Sequence, residues 1–216
     1  PIFNSATLND IVRNDEFRDT INNSDLVHID GMSVVWALRS VGCPVPERVA
    51  TPDLADDILA MADRERMSIF LFGAHEKILS LCLQNIEKKF PNIVISGSRN
   101  GYYSPEEEKD IFDIINKANP DILLLGMSSP KKELFFESYR HRLEARYILG
   151  VGGYFDIMSG LIRRAPRWMQ DTGLEWLFRL MQEPRRLWKR YLIGILQFFW
   201  LVTKEKFRRA FNRKKE

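Results

Sequence analysis

Residues 122–126 read Ile122-Leu123-Leu124-Leu125-Gly126, an uninterrupted apolar run that ends in glycine. A run that is apolar on both faces is typical of a strand buried between two helical layers. Similar runs recur between residues 25 and 153, each followed directly or after one residue by glycine. They are Leu26–Ile29 before Asp30-Gly31, Ile69–Phe72 before Gly73, Ile93–Ser96 before Gly97, and Tyr147–Leu149 before Gly150.

Helical segments separate these runs. Thr51-Pro52-Asp53 offers a capping residue, a proline and an acid at a helix start, and Ser104-Pro105-Glu106-Glu107 has the pattern of a capping box. A third helix is predicted to end with residues 84–90, before Pro91, and a fourth is predicted to begin at Pro130. Alternating strands and helices predict a Rossmann-like α/β domain over residues 1–160, a parallel sheet with helices on both faces.

The glycines that follow the predicted strands indicate a ligand-binding rim. Ligands of such sheets bind at the carboxyl ends of the strands, where glycine lets the backbone approach closely. The alternative for any single glycine is a tight strand-to-helix turn. The residues assigned to nucleotide binding on this basis are Gly73, Gly97, Gly126, Gly150, Gly152, Gly153 and Asp156. Asp156 has two alternatives, a second catalytic carboxylate or a helical surface acid.

The charge of the chain is divided unevenly along its length. Residues 161–216 contain 15 basic and 5 acidic residues, whereas the preceding 160 residues contain 17 basic and 24 acidic ones. A basic segment of this kind favours an anionic partner, such as a phosphate, a nucleic acid or a membrane surface. We therefore treat residues 161–216 as a separate C-terminal helical appendage.

The appendage contains an almost wholly apolar run at residues 191–202, flanked by arginines and lysines. Its 12 residues are fewer than the roughly 20 that a helix needs to cross a bilayer. Aromatic residues beside basic ones are typical of a helix that lies at an anionic membrane surface. The alternative is a helix buried on the sheet or in a dimer.

Several familiar chemistries are excluded by missing motifs. The two cysteines, Cys43 and Cys82, have no zinc-site spacing, and there is no P-loop, H-E-x-x-H or G-x-S-x-G motif. The run Gly150-Val151-Gly152-Gly153 matches only half of the dinucleotide fingerprint. No D-x-D motif occurs, so arginines rather than a metal ion would balance a diphosphate, and we expect neither a metal nor a cofactor.

Asp30 is the foremost candidate for chemistry. It follows a predicted strand, precedes Gly31 and stands at the start of a helix. A carboxylate at the carboxyl end of a strand faces the ligand crevice and can serve as a general base. The alternative is that Asp30 caps the following helix.

These features occur within a longer set of blocks that resembles the WecG/TagA/CpsF glycosyltransferases. The blocks stand in family order over most of the chain. They are Asp30-Gly31 with Val34–Ala37, Pro46–Val49, Asp53-Leu54, Gly126 with Pro130–Glu133, Gly150–Asp156, Gly160 with Arg164–Pro166, Gly173–Leu180, Glu183–Arg186, and Arg190-Tyr191.

The resemblance implies an inverting, membrane-associated hexosyltransferase without a metal ion. Such an enzyme moves N-acetylmannosamine, its uronic acid or a related hexose from a UDP-sugar to an undecaprenyl-diphosphate-linked sugar. The products are cell-surface polysaccharides or teichoic acids. The implied place is the cytoplasmic face of the bacterial inner membrane, where the protein binds peripherally to anionic lipid. A homo-oligomer is compatible with this assignment, and nucleic acid is not an expected partner.

The resemblance also assigns roles to individual residues. The catalytic base falls on Asp30, and substrate contacts fall on Asn4 and Arg48. The arginines that close over the diphosphate fall on Arg179 and Arg186. Substrate contacts are further assigned to Lys132 and Glu133, although the family usually has glutamine where this chain has Lys132. Lysine only donates hydrogen bonds, whereas glutamine both donates and accepts, so sugar contacts there differ.

Three other functions remain open on the sequence alone. A nucleic-acid-binding α/β protein would explain the basic appendage but not its charge-free run Leu192–Leu196. A dinucleotide-dependent oxidoreductase is disfavoured by the broken glycine fingerprint. A non-catalytic member that kept the fold is the third alternative, because fold alone does not fix activity.

Overall fold

The computed structural model describes residues 1–212 and divides the chain into two compact units. The first, which we call the sheet unit, consists of Pro1 and Thr51–Arg163. The second, which we call the terminal unit, combines Ile2–Ala50 with the chain from Arg164 onward. The end of the predicted appendage, residues 213–216, lies outside the described residues.

The sheet unit contains a four-stranded parallel sheet in the order β4-β3-β5-β6. The strands alternate with helices along the chain, as the sequence predicted. In chain order the elements are α4 (Thr51–Glu65), β3 (Ser68–Gly73), α5 (Glu76–Lys89), β4 (Val94–Arg99), a 3-10 turn (Pro105–Glu107), α6 (Glu108–Ala118), β5 (Ile122–Gly126), α7 (Lys131–Tyr139), β6 (Tyr147–Gly150) and α8 (Tyr154–Met158).

Helices cover this sheet on both faces, which confirms the α/β fold class. Ile69, Leu71, Ile122 and Leu124 of the two central strands belong to one buried cluster with α4, α5 and α8. The residues that alternate with them, Phe70, Phe72, Leu123 and Leu125, belong to a second cluster with α6 and α7. Since successive side chains of a strand point to opposite faces, a strand buried on both must be apolar throughout.

Local signals in the sequence set the helix starts. The capping box at Ser104 is formed, with the Ser104 N–H donating to the Glu107 carboxylate at 2.8 Å. Pro130 occupies the N-cap position of α7. Helix α4 begins at Thr51, one residue before the expected first position.

The terminal unit is built from both ends of the chain. Its N-terminal part contains β1 (Ile2–Phe3), α1 (Ser5–Arg13), α2 (Asp15–Asn22), β2 (His28–Ile29) and α3 (Met32–Ser40). Its C-terminal part contains α9 (Arg167–Asp171), α10 (Glu175–Gln182), α11 (Pro184–Trp188), a π-helical turn (Lys189–Ile193) and α12 (Gly194–Asn212). Helix α1 packs on α12, and the Asn9 amide donates to the carbonyl of Gly194 at 3.0 Å.

Two details of the predicted strands need correction. The predicted strand at residues 26–29 is reduced to His28–Ile29 because Leu26 and Val27 are exposed, and it pairs with β1 in a separate two-stranded parallel sheet. Gly97 lies inside β4 rather than after it. Residues 2–50 group with the C-terminal segment, whereas we had expected a boundary at residue 160. The functional division at that boundary stays a prediction.

The apolar run of the appendage, residues 191–202, spans the end of the π-helical turn and the start of α12 and is only partly buried. Phe198 is buried, whereas Leu196, Phe199 and Trp200 are 72%, 59% and 62% exposed. Within residues 1–212, no helix combines the length and the apolar character that crossing a bilayer requires.

Candidate active site

Asp30 lies immediately after β2, at the turn into α3. Its N–H donates to the carbonyl of Phe3 in β1 at 2.9 Å, which fixes the backbone at this point. The N-cap position of α3 is Gly31, with φ of 146°, so the interpretation of Asp30 as the cap is wrong. The Asp30 side chain is 23% exposed, so its carboxylate can be reached from solvent.

Arg48 holds the Asp30 carboxylate. Its Nη2 and Nε lie 3.2 and 3.4 Å from Asp30 Oδ1. The same Nη2 donates to Glu175 Oε2 at 2.5 Å, and the other oxygen, Oε1, accepts from Arg164 Nε at 3.4 Å. These four side chains, Asp30, Arg48, Glu175 and Arg164, alternate in charge, and we call them the ion-pair chain.

The ion-pair chain keeps Arg48 charged. Burial alone would lower the pKa of Arg48, but the negative charges of Asp30 and Glu175 raise it above its ordinary value. The guanidinium is only 14% exposed, and it also reaches the carbonyl of Gln170 at 3.5 Å. A charged, partly buried arginine that bonds two carboxylates has little freedom to rotate, so it fixes the direction of the Asp30 carboxylate.

Asn4 lies beside this turn. Its Oδ1 caps α1 by accepting from the N–H groups of Ala6 and Thr7 at 3.0 and 3.1 Å. A Cβ atom built on Gly31 would lie 3.9 Å from the Asn4 Cβ. The structure therefore brings Asn4, Asp30 and Arg48 together.

Arg179 and Arg186 are brought together by Glu183. Their guanidinium groups lie 3.5 and 2.6 Å from Glu183 Oε2, on α10 and α11. Their side chains are 24% and 55% exposed. Two partly exposed guanidinium groups around one carboxylate form a positively charged surface that suits an incoming phosphate.

In the sheet unit, several of the predicted rim glycines have a packing role. A Cβ on Gly126 would lie 2.2 Å from the Phe155 ring, and a Cβ on Gly73 would lie 2.4 Å from the backbone of Gly126. A Cβ on Gly97 would lie 2.6 Å from the Phe70 ring. Close packing thus explains glycine at these positions, and their assignment to nucleotide binding stays a prediction.

The glycine-rich segment Gly150–Gly153 leads from β6 into α8. The N–H groups of Val151 and Gly152 both donate to the carbonyl of Leu125, at 2.9 and 3.3 Å. Gly153 is the N-cap residue of α8, and Asp156 lies in the first turn of that helix. Burial, and to a lesser extent the charge of Asp156, raises the pKa of the Cys82 thiol to about 12.

Lys132 and Glu133 form a buried ion pair at the start of α7, with side chains only 5% and 3% exposed. Ser129 Oγ accepts from Lys132 Nζ at 2.5 Å and donates to Glu133 Oε1 at 2.9 Å. Among residues 1–212, Glu133 Oε2 is buried and finds no hydrogen-bond partner. Lys132 and Glu133 line a cleft whose other walls are Pro1, Leu125, Phe136, Ile148 and Gly150.

Residues 1–212 contain no group of three or more histidine, cysteine, aspartate or glutamate side chains placed to hold a metal ion. The charged groups that the structure does bring together at Asp30 are arginines and carboxylates.

Comparison with known proteins identifies the family to which these residues belong. The model of the glycosyl transferase WecG/TagA/CpsF family matches residues 2–212. This chain belongs to that family. The assignment made from the sequence, a glycosyl transferase enzyme, is thereby confirmed.

Two curated relatives carry the same name, N-acetylglucosaminyldiphosphoundecaprenol N-acetyl-beta-D-mannosaminyltransferase. The protein of Bacillus subtilis strain 168 is 32% identical over 194 residues, which cover 90% of this chain and 74% of the relative. The protein of Bacillus spizizenii strain W23 is 30% identical over 181 residues, which cover 84% of this chain and 69% of the relative.

For this family member, sequence reasoning missed the contacts that Glu175 and Arg164 make in the ion-pair chain. Both stand in sequence blocks that resemble the family, but no contact was assigned to either residue. Glu175 is separated from Arg48 by 127 positions, so no local pattern relates the two. The one available signal was composition, since Glu175 is one of only five acidic residues in the basic segment 161–216.

Proposed function

We propose that this family member is an inverting glycosyltransferase. Its donor is a UDP-sugar that carries N-acetylmannosamine, its uronic acid or a related hexose, and its acceptor is a sugar linked to undecaprenyl diphosphate. The observation that carries the proposal is the reachable Asp30 carboxylate held by Arg48 at the end of β2. The names of the two relatives support a transferase that acts on such a lipid-linked acceptor.

In the proposed reaction Asp30 acts as the general base. The acceptor hydroxyl oxygen attacks the anomeric carbon from the face opposite the diphosphate, and Asp30 takes the hydroxyl proton. The bond between the anomeric carbon and the diphosphate oxygen breaks, and UDP leaves with the electron pair. Inversion follows because the new bond forms opposite the one that breaks.

Negative charge that develops on the leaving diphosphate needs fixed positive groups. Arg179 and Arg186 are assigned this role because their guanidinium groups already surround the carboxylate of Glu183. A phosphate can replace that carboxylate, since both anions accept hydrogen bonds from the planar guanidinium fork. Charge supplied in this way makes a divalent ion unnecessary. In the sheet unit, the proposal assigns nucleotide binding to the glycine turns and Asp156.

The acceptor also decides where the protein works. A sugar attached to undecaprenyl diphosphate stays in the bilayer, so the enzyme must come to the membrane surface. We assign this contact to the exposed apolar residues of α12 and the lysines and arginines that follow them, which fit an anionic surface on the cytoplasmic face.

The decisive experiment compares wild type and Asp30→Asn in a transfer assay. The protein is incubated with a short-chain N-acetylglucosamine diphospholipid and a panel of UDP-sugars, with and without EDTA. We expect one UDP-sugar to support transfer at the same rate in EDTA. Asp30→Asn should lower kcat by about 10²–10⁴-fold, because the amide accepts no proton from the acceptor hydroxyl. UDP binding, measured by calorimetry, should not change.

The matched control is Asp19→Asn, which removes an exposed carboxylate of α2 in the same unit. Wild-type turnover in Asp30→Asn would reject Asp30 as the base. A wild-type protein that transfers no sugar from any donor would reject the proposed function and favour a non-catalytic family member.

A further inference from the structure

Glu175 makes the shortest contact of the Arg48 guanidinium. Arg48 Nη2 lies 2.5 Å from Glu175 Oε2 but 3.2 Å from Asp30 Oδ1. Both carboxylates therefore compete for the same nitrogen, and the nearer one is Glu175. The position of Arg48 is thus set by α10 at least as firmly as by its contact with the proposed base.

Glu175 is itself fixed from its other side. Its second oxygen, Oε1, accepts from Arg164 Nε at 3.4 Å, and its side chain is only 19% exposed. Each carboxylate oxygen thus serves a different arginine. An amide in this place has one acceptor oxygen and one donor nitrogen, so a glutamine can satisfy only one of the two.

From this geometry we infer that Glu175 is a positioning residue for the Asp30 base. Glu175 and Arg164 hold Arg48, and Arg48 in turn holds the Asp30 carboxylate in the direction that the acceptor hydroxyl requires. This inference rests on the proposed function, in which Asp30 is the base. It adds the residue that keeps the base aligned, on a helix 145 positions away in the sequence.

The effect is expected on turnover rather than on UDP binding. Arg179, which is assigned to the diphosphate, stands one turn further along α10, and its Nε lies 3.5 Å from Glu183 Oε2. A change at Glu175 therefore leaves the Arg179 contact in place. A base displaced by about 1 Å can lower the rate by about 10²-fold without any loss of substrate affinity.

The test uses Glu175→Gln in the full chain, measured in the transfer assay and by UDP calorimetry. We expect kcat to fall by about 10- to 100-fold while the UDP dissociation constant stays the same. Glu175→Asp, which keeps the charge, should retain more activity than Glu175→Gln. The control Glu16→Gln removes an exposed carboxylate of α2 and should leave kcat unchanged.

A second measurement separates positioning from a merely structural role. Glu175→Gln is combined with Asp30→Asn, and the residual rate of the double variant is compared with that of Asp30→Asn. If Glu175 acts through Asp30, the second substitution adds no further loss, because the base that it aligned is gone. If Glu175 only stabilises the fold, the loss is the same in both backgrounds and the melting temperature falls with it.

The possible outcomes distinguish a failure of this inference from a failure of the proposed base. Wild-type kcat in Glu175→Gln, or an equal loss in both backgrounds, overturns the inference while the proposed function stands. Wild-type kcat in Asp30→Asn instead overturns the proposed base, and the inference with it. A loss that disappears in the Asp30→Asn background supports both.

Discussion

At the scale of single residues, the buried pair Lys132–Glu133 carries a consequence for stability. Both side chains are almost completely buried, and Ser129 bridges them. Desolvation of two charges costs several kcal/mol, and their mutual attraction offsets that cost only while both are present. Lys132 is thus tied to the glutamate beside it.

We expect Lys132→Met to lower the free energy of unfolding by about 3–5 kcal/mol, because it removes the ammonium group that pairs with the buried Glu133 carboxylate. The double variant Lys132→Met/Glu133→Met should recover most of the loss, since it removes both charges. Urea denaturation of the three proteins measures the difference. Arg167→Met, which breaks an exposed pair with Asp171, serves as the control and should change stability by less than about 1 kcal/mol. Equal effects of Lys132→Met and Arg167→Met would contradict this account of the pair.

The residue scale also separates what sequence could predict at the site from what it could not. Asp30 was named from its place after a strand and from the resemblance, whereas Arg48 was named from the resemblance alone, and the structure brings the two together. Glu175 was not named, because its partner is far away in the sequence and only folding makes the two meet. The glycines were located correctly except Gly97, but several owe their identity to neighbours such as Phe155, which no local pattern reveals.

At the scale of elements, the loop between α3 and α4 delivers Arg48 to Asp30. It has no regular structure over residues 43–50, so side chains must hold it. Arg39 on α3 donates to the carbonyls of Val45 and Pro46 at 2.9 and 2.6 Å. Beyond Arg48, the Val49 N–H donates to the carbonyl of Ile29 in β2 at 3.0 Å. The loop is therefore fixed on both sides of Arg48.

We expect Arg39→Ala to lower kcat in the transfer assay by about 10-fold, because a loosened loop lets Arg48 move away from Asp30. Arg39→Lys should give an intermediate rate, since an ammonium group cannot reproduce the planar fork that spans two carbonyls. Arg18→Ala, on the exposed face of α2, is the control. A wild-type rate in Arg39→Ala would mean that the Ile29 contact alone holds the loop.

The predictability of the elements themselves followed their length and pattern. Strands β3 and β5 were predicted because the runs Ile69–Phe72 and Ile122–Leu125 are apolar throughout, and α6 and α7 were marked by a capping box and a proline. Strand β1 was not predicted, and β2 was predicted to span residues 26–29 although only His28–Ile29 form it. A strand of two residues has too few positions for periodicity to show, and its pairing depends on a partner elsewhere in the chain.

At the scale of the whole molecule, the exposed apolar residues of α12 should decide membrane binding. Leu196→Glu/Trp200→Glu places two negative charges on this surface, and we expect it to abolish co-sedimentation with vesicles that contain anionic phosphatidylglycerol. Both side chains are exposed, so the fold should not change. Ile114→Glu, at an exposed apolar position of α6, is the control and should still bind. Vesicle binding by the double variant at the wild-type level would place the membrane contact elsewhere.

The terminal unit combines segments that precede and follow the sheet unit in the sequence, so it can be completed only after the sheet unit has been translated. Helix α1 leaves the ribosome before the sheet strands are translated, and its partner α12 leaves after them. Asp30 and Arg48 likewise await Glu175, which is translated after the entire sheet unit. A nascent chain therefore holds its proposed base unaligned until Glu175 has been translated, and a product of premature termination before Arg164 lacks both Glu175 and Arg164.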